Sequence, residues 1–432
     1  METAEGRKTI ELARRLEQNG LSAAPPLPYH LIDSKLVMKR TVTFCLATVL
    51  LLPPLDSSAQ QTAPPATDNV PSTRAAQADA TAAPAEPQPA AEPQPAAASG
   101  TPVLGKADVA EAQKEEPDPA TVEPLEDKNY LLLGEYAGDV TVSEGEPQRI
   151  GVQVRPLGGD RFDARQYHGG LPGQEGFSGE SQALLGFRAG DVLVLSGAAW
   201  AVFVERDQCR IIDSQGKLLG ELPRIERTSP TLGAVPPEGA LVLFDGKNTD
   251  QFRGGKISQD GWLMPGADVI PMFQDFDMHV EFKIPYMPES SGQSRGNSGC
   301  YLLSRYELQI LDSFAEAPSF NGCSSLYRQV PPDTNMSFPA LQWQTYDIAF
   351  TAPRWASDGT KLRHARITVW HNGVKTHDNR EIEDKTGAGK IEEPSLLPIR
   401  LQDHSNPVRF RNIWIIDRGL IPAAGFPSLP AQ

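Results

Sequence analysis

From Asp127 onward the chain is a succession of short β-branched and aromatic runs, each followed by a Gly, Pro, Asn or Asp turn signal, and no helical period interrupts them. Over 127–235 the runs are Tyr130-Leu131-Leu132-Leu133, Arg149 to Val154, Val192 to Leu195, Ala201 to Val204 and Arg210 to Ile212. Turn signals stand between them at Gly158-Gly159-Asp160, Gly169 to Gly173 and Ser214-Gln215-Gly216, so this part reads as a small all-β domain. Ser229 to Ala234 and Pro236-Pro237 form a stiff connector to a second region, 239–419. There the runs are Leu241 to Phe244, Met278 to Ile284, Ser298 to Ser304, Arg305 to Leu311, Thr345 to Thr351, Ala365 to His371, Ile399 to Gln402 and Phe410 to Ile416. Many strands of similar length without helices predict a β-sandwich of jelly-roll type. His371-Asn372-Gly373 is a hairpin turn, because Asn-Gly readily takes the positive φ that a tight turn needs.

The first part of the chain has a different texture. The 39 prolines of the 432 residues are unevenly spread, and 60–126 carries the tandem Ala85-Glu86-Pro87-Gln88-Pro89-Ala90 and Ala91-Glu92-Pro93-Gln94-Pro95-Ala96. Such a Pro/Ala-rich segment buries too little apolar area to offset ordering and is expected to be a disordered linker. Met38-Lys39-Arg40, the apolar run Val42 to Leu52 and Ser57-Ser58-Ala59 have the order of a secretory signal, placed at 38–59. Residues 1–37 then read as an upstream extension from a mis-assigned start, and 420–432 as a tail. The apolar run falls short of the roughly 20 residues a bilayer span needs, so no transmembrane segment is expected in the mature chain. A membrane-anchored N-terminus is the competing reading of the same run. Export places the chain in the periplasm or outside the cell, where cysteines can pair. Cys209, Cys300 and Cys323 remain after processing, and Cys300 with Cys323 is the disulfide candidate. No Cys/His zinc spacing is present. A formal charge of -15 repels phosphate backbones and excludes nucleic acid as a partner, while carbohydrate stays compatible.

Strand alternation sorts the polar residues of the second region. Arg305, Glu307 and Gln309 share one face of their run, with Asp312 just beyond it, and Arg400, Gln402 and His404 share a face of theirs. Arg411 interrupts an otherwise apolar face. Amide, carboxylate, guanidinium and imidazole on facing strands would make a polar groove able to bind hydroxyls in pairs. Each has a plainer alternative: Arg305 and Glu307 as an exposed ion pair, His404 as a turn cap beside Asn406-Pro407, the tryptophans as packing. No nucleophile elbow, phosphate-binding loop or dinucleotide fingerprint is present.

Seven motifs occur in order: Leu243-Phe244-Asp245-Gly246-Lys247, Arg295-Gly296-Asn297-Ser298-Gly299, Arg305 to Asp312, Trp343-Gln344-Thr345-Tyr346-Asp347, His371-Asn372-Gly373, Leu401-Gln402-Asp403-His404 and Phe410-Arg411-Asn412-Ile413-Trp414. Together they resemble the 3-keto-disaccharide hydrolase domain family, and the region before them is similar to the β domain that often precedes it. The resemblance implies a concanavalin A-like jelly roll acting on glycosides whose sugar is oxidised at C3. A C3 ketone acidifies the C2 hydrogen, so a base can remove it and the C1 oxygen can leave by elimination. Glu307, His404 and Arg305 are then the catalytic candidates, with Arg305 near the developing oxyanion. Gln309, Asp312, Gln402, Asp403, Asn297 and Arg411 are the substrate-binding candidates, and a divalent metal would fall to Glu307, Asp312 and His404. A non-catalytic glycan-binding sandwich of the cell envelope is the alternative. The sequence departs from the family pattern at Ser405 and at Ser324-Ser325, where Gly is expected, and at Pro271-Met272, where Thr and a basic residue are common.

Overall fold

In a computed structural model, residues 118–142 and 145–419 are described. The signal, the upstream extension, the tail and the linker up to residue 117 lie outside them. Among the described residues all regular structure is β apart from three short 3-10 turns. The first eight strands, Gly134–Val140 to Leu218–Ile225, form an antiparallel closed barrel. It closes where Glu135 and Tyr136 pair with Ile225 and Arg224. Closure leaves no strand edge free, and the interior is packed with Val152, Val154, Phe162, Leu193, Val202 and Ile211.

The run Tyr130-Leu131-Leu132 is a 3-10 turn rather than a strand. Helical geometry sends successive side chains in different directions: Leu132 enters the barrel core, while Leu133 joins a separate cluster with Tyr286, Phe314 and Leu341. Residues 118–126 lie against the second region, where Tyr286 N–H donates to Ala120 O and Thr121 is buried.

The second region is a jelly-roll β-sandwich of a five-stranded and a six-stranded sheet. Phe276, Val280, Phe282, Tyr346, Ile348, Phe350, Phe410 and Ile413 of the larger sheet meet Cys300, Leu302, Leu308, Ile310 and Leu401 of the smaller one. Asn372 and Gly373 both take positive φ, +51° and +79°, as a tight hairpin turn requires. Cys300 and Cys323 do not pair: both are buried free thiols, Cys300 inside the sheet between Leu308 and Leu401, Cys323 with Sγ 3.1 Å from Tyr346 Oη. Burial pushes the Cys300 thiol up to about 12, so it stays protonated and inert.

Barrel and sandwich meet through charge and backbone. Arg155 pairs with Asp163 of its own barrel at 2.7 Å and with Glu316 of the sandwich at 2.7 Å, and it also donates to Asp312 O. Arg295 of the sandwich answers with a bond of 2.9 Å to Pro156 O. The connector lies on the larger sheet: Ser229 Oγ is 2.6 Å from Thr345 Oγ1, Thr231 donates to Asp347 and Gly233 N–H donates to Glu281.

Candidate active site

The smaller sheet carries a polar row on the face turned away from the core. In the hairpin Ser298–Leu302 and Tyr306–Ile310, Tyr301 stands opposite Glu307 and Gly299 opposite Gln309. On the other side Tyr301 stands opposite Arg400, which stands opposite Asp268. Residues directly opposed in antiparallel strands point to the same face. Asp268, Arg400, Tyr301 and Glu307 therefore form one row, while Cys300, Leu308 and Leu401 between them face the core.

Glu307 is 3% exposed. The Tyr301 hydroxyl donates to its Oε2 at 2.7 Å, and its backbone N–H donates to Thr386 Oγ1 at 2.6 Å. Its Oε1 reaches over Gly299, where a methyl group would lie 2.7 Å from Glu307 Oε1 and 3.2 Å from Gln402 Oε1. Glycine is thus required there for both side chains to lie across the strand. Gln402 Oε1 is buried and has no partner. The loop at Gly387 closes the site from outside: a methyl there would meet the Tyr327 ring at 2.6 Å and Glu307 Oε2 at 3.3 Å. Gln309 is held by its amide, which donates to Gln293 Oε1 at 3.0 Å.

Burial pushes the Glu307 carboxyl up to about 7, against a smaller opposing effect of the Tyr301 hydrogen bond. A carboxylate poised near neutrality can both take and return a proton. Burial, then the Glu307 charge, drives the Tyr301 phenol far above its ordinary range, so Tyr301 stays a donor. Arg400 is held charged by its two-pronged contact with Asp268, at 2.6 and 3.0 Å.

The other residues singled out in the sequence lie elsewhere. Arg305 is buried, but its guanidinium is spent on Ile391 O, Ser395 O and Oγ, and Glu393, holding the 391–395 loop rather than facing an oxyanion. Asp312 is neutralised by Arg295 at 2.6 Å. Arg411 lies on the outer face of the other sheet, paired with Glu281 at 2.7 Å and stacked on Trp343. Asn297 is a buried brace, its amide donating to Gln293 O and its backbone N–H to Asn406. Asp403 is exposed and accepts Ser405 N–H, and His404 is exposed beside it. Glu307, Asp312 and His404 do not form a metal site: among the described residues no group of three acidic, His or Cys side chains could hold an ion. Tyr301, Gly299 and Gln293 were not foreseen, because pairing the two runs was needed to bring them to Glu307.

The site is thus a buried carboxylate with a phenol donor and amides on the outer face of a jelly-roll sheet. Residues 239–416 match the family model of the 3-keto-alpha-glucoside-1,2-lyase-like domain, and the chain belongs to that family. A candidate glycosyl hydrolase from Parabacteroides distasonis is 32% identical, aligned over 42% of this chain and 84% of that one with a TM-score of 0.39. A second from the same organism is 21% identical over 42% of this chain and 95% of that one, with a TM-score of 0.31. No curated protein matches the chain. No helix among the described residues is long and apolar enough to cross a membrane.

Proposed function

We propose that the chain is an exported enzyme that cleaves 3-keto-glycosides by elimination, with Glu307 as the proton carrier. The observation that carries this reading is the Glu307 carboxyl itself, buried, held by Tyr301, lying across Gly299 beside Gln402 and poised near pH 7. Glu307 takes the C2 proton, which the C3 ketone has acidified, and the electron pair is delocalised onto the ketone oxygen. The enolate then expels the C1 oxygen, and the same carboxyl returns its proton to that oxygen. Water added across the resulting double bond gives net hydrolysis. Tyr301 keeps Glu307 oriented, and the amides of Gln402 and Gln309 supply donors and acceptors for hydroxyl groups. Arg400 places a positive charge on the same row. Export rests on the signal-like order of Met38 to Ala59.

The test is incubation of the full chain with a 3-keto-disaccharide, following release of the second sugar, with Glu307→Gln as control. Release that falls by about 100-fold or more in the variant is expected of a lost general base. Undiminished release in Glu307→Gln would remove Glu307 from the chemistry. Tight binding of an unoxidised glycan without any release would make the same face a glycan-binding site.

A further inference from the structure

Arg409 opens the strand Arg409–Asp417 on the outer face of the larger sheet, opposite Lys283. It is 4% exposed. Among the described residues the other four buried arginines each have a carboxylate within 4 Å: Arg155 has Asp163 and Glu316, Arg295 has Asp312, Arg305 has Glu393 and Arg354 has Asp275. Arg409 has none. Its one hydrogen bond runs to the neighbouring carbonyl of Val408 at 3.2 Å, and its Nε has no partner. A buried guanidinium left unpaired is costly, and a chain keeps one where something else supplies the negative charge.

Arg409 lines a cavity of about 310 Å³, together with Lys256, Gly266, Asn406, Asp118 and Asp403. That volume lies at the small end of the range for small-molecule sites, about 300–1,000 Å³. Lys256 is exposed and lines the same cavity, and among the described residues it pairs with no carboxylate. Two acids stand in the wall, each accepting one backbone N–H: Asp118 from Ala120 at 2.9 Å and Asp403 from Ser405 at 2.8 Å; the Asp118 charge reaches Arg409 without a direct contact. Asp260 is a third acid whose charge reaches Arg409, also without a direct contact. Gln402, on the Glu307 face, and Asp403, on the cavity wall, are consecutive residues.

We propose that this cavity is a binding site for an oxyanion, either the carboxylate of an acidic sugar or an inorganic phosphate, received by Arg409 with Lys256. The guanidinium presents parallel N–H donors that fit two oxygens of one such group. The proposal is independent of the reaction assigned to Glu307.

Calorimetric titration of the full chain with glucuronate, inorganic phosphate and glucose tests it. Glucuronate or phosphate is expected to bind, more weakly as salt rises, and glucose is not. Arg409→Met is expected to weaken anion binding about 10- to 100-fold, the loss of one or two charge-assisted hydrogen bonds. It is also expected to melt no lower than the parent, since it removes an unpaired buried charge; a structural arginine would give the opposite shift. Lys256→Gln, at an exposed position, is expected to weaken binding several-fold and decides the matter if Arg409→Met does not fold. Binding of glucuronate alone assigns an acidic sugar, and binding of both assigns a general oxyanion site. The proposal falls if neither anion binds, or if both variants bind as the parent does.

Discussion

Ser324 and Ser405 both sit in left-handed backbone, at φ +64° and +60°, where the family pattern has glycine. The loops therefore keep the conformation that glycine would favour, and the serines bear its strain. Ser405 is exposed, and Ser405→Gly is expected to raise stability by about 1 kcal/mol in urea unfolding, the steric cost of a side chain in that region. Ser324→Gly is expected to gain less, because Ser324 Oγ is bonded to Thr376 Oγ1 at 2.8 Å in the core. Glu307 carries a cost of another kind. Its folded-state value of about 7 lies above the usual 4.5, so the folded state holds the extra proton and loses stability as pH rises between those values. Glu307→Gln should lower turnover about 100-fold or more yet be more stable than the parent at pH 8, by about 2–3 kcal/mol, and equal to it near pH 4. Tyr301→Phe removes the hydrogen bond that lowers the Glu307 value, so the rising limb of its pH–rate profile should move to higher pH.

At the scale of elements, the connector is held to the larger sheet by a buried charge cluster. His279 is fully buried, stacked on Trp414, with Nδ1 2.6 Å from Asp347 and Nε2 3.5 Å from Glu281. Burial alone would lower its value, but the hydrogen bond to Asp347 and the nearby Glu281 carboxylate outweigh it and the net shift is upward. Burial acts on Glu281 in the opposite sense and is likewise outweighed, by His279, Asn412, Arg411 and Gly233 N–H, which hold it down at about 2. The signs follow from linkage. The His279 contribution is fully present below about pH 6.5, the usual histidine value, and is lost as pH rises through its raised folded value. The Glu281 contribution is present above about pH 4.5 and is lost as pH falls toward 2. Stability measured by urea unfolding should therefore decline above neutrality, and His279→Gln should flatten that decline while lowering stability at pH 6.

Over the whole molecule, Arg155 is one of the charges that join the two modules, touching Asp163 in the barrel and Glu316 and Asp312 O in the sandwich. Arg295 reaches back to Pro156 O while it neutralises Asp312. Arg155→Ala leaves the partly exposed Asp163 and Glu316 carboxylates without their partner and is expected to cost about 1–3 kcal/mol, the loss of charge-assisted hydrogen bonds in a half-buried site. Scanning calorimetry should show one transition for the parent and two for the variant; a single unshifted transition would mean the modules do not depend on this contact.

The all-β character and the Asn372-Gly373 turn were legible in the sequence, because strand periodicity and turn chemistry are local properties. Glu307, Gln309 and Gln402 could be picked out for the same reason, since alternation sets which residues share a face. The strand Val374–Ile382 was not visible, because its residues are largely polar along the edge of the larger sheet. The pairing of Ser298–Leu302 with Tyr306–Ile310 was hidden too: its turn, Leu303-Ser304, takes φ of +51° at both residues without Gly or Asn. Only that pairing brings Tyr301 to Glu307. Tertiary structure also separated Arg305, Asp312 and Arg411 from the site, because a charged side chain goes where burial offers it a partner, and those partners lie 88, 17 and 130 residues away in the chain.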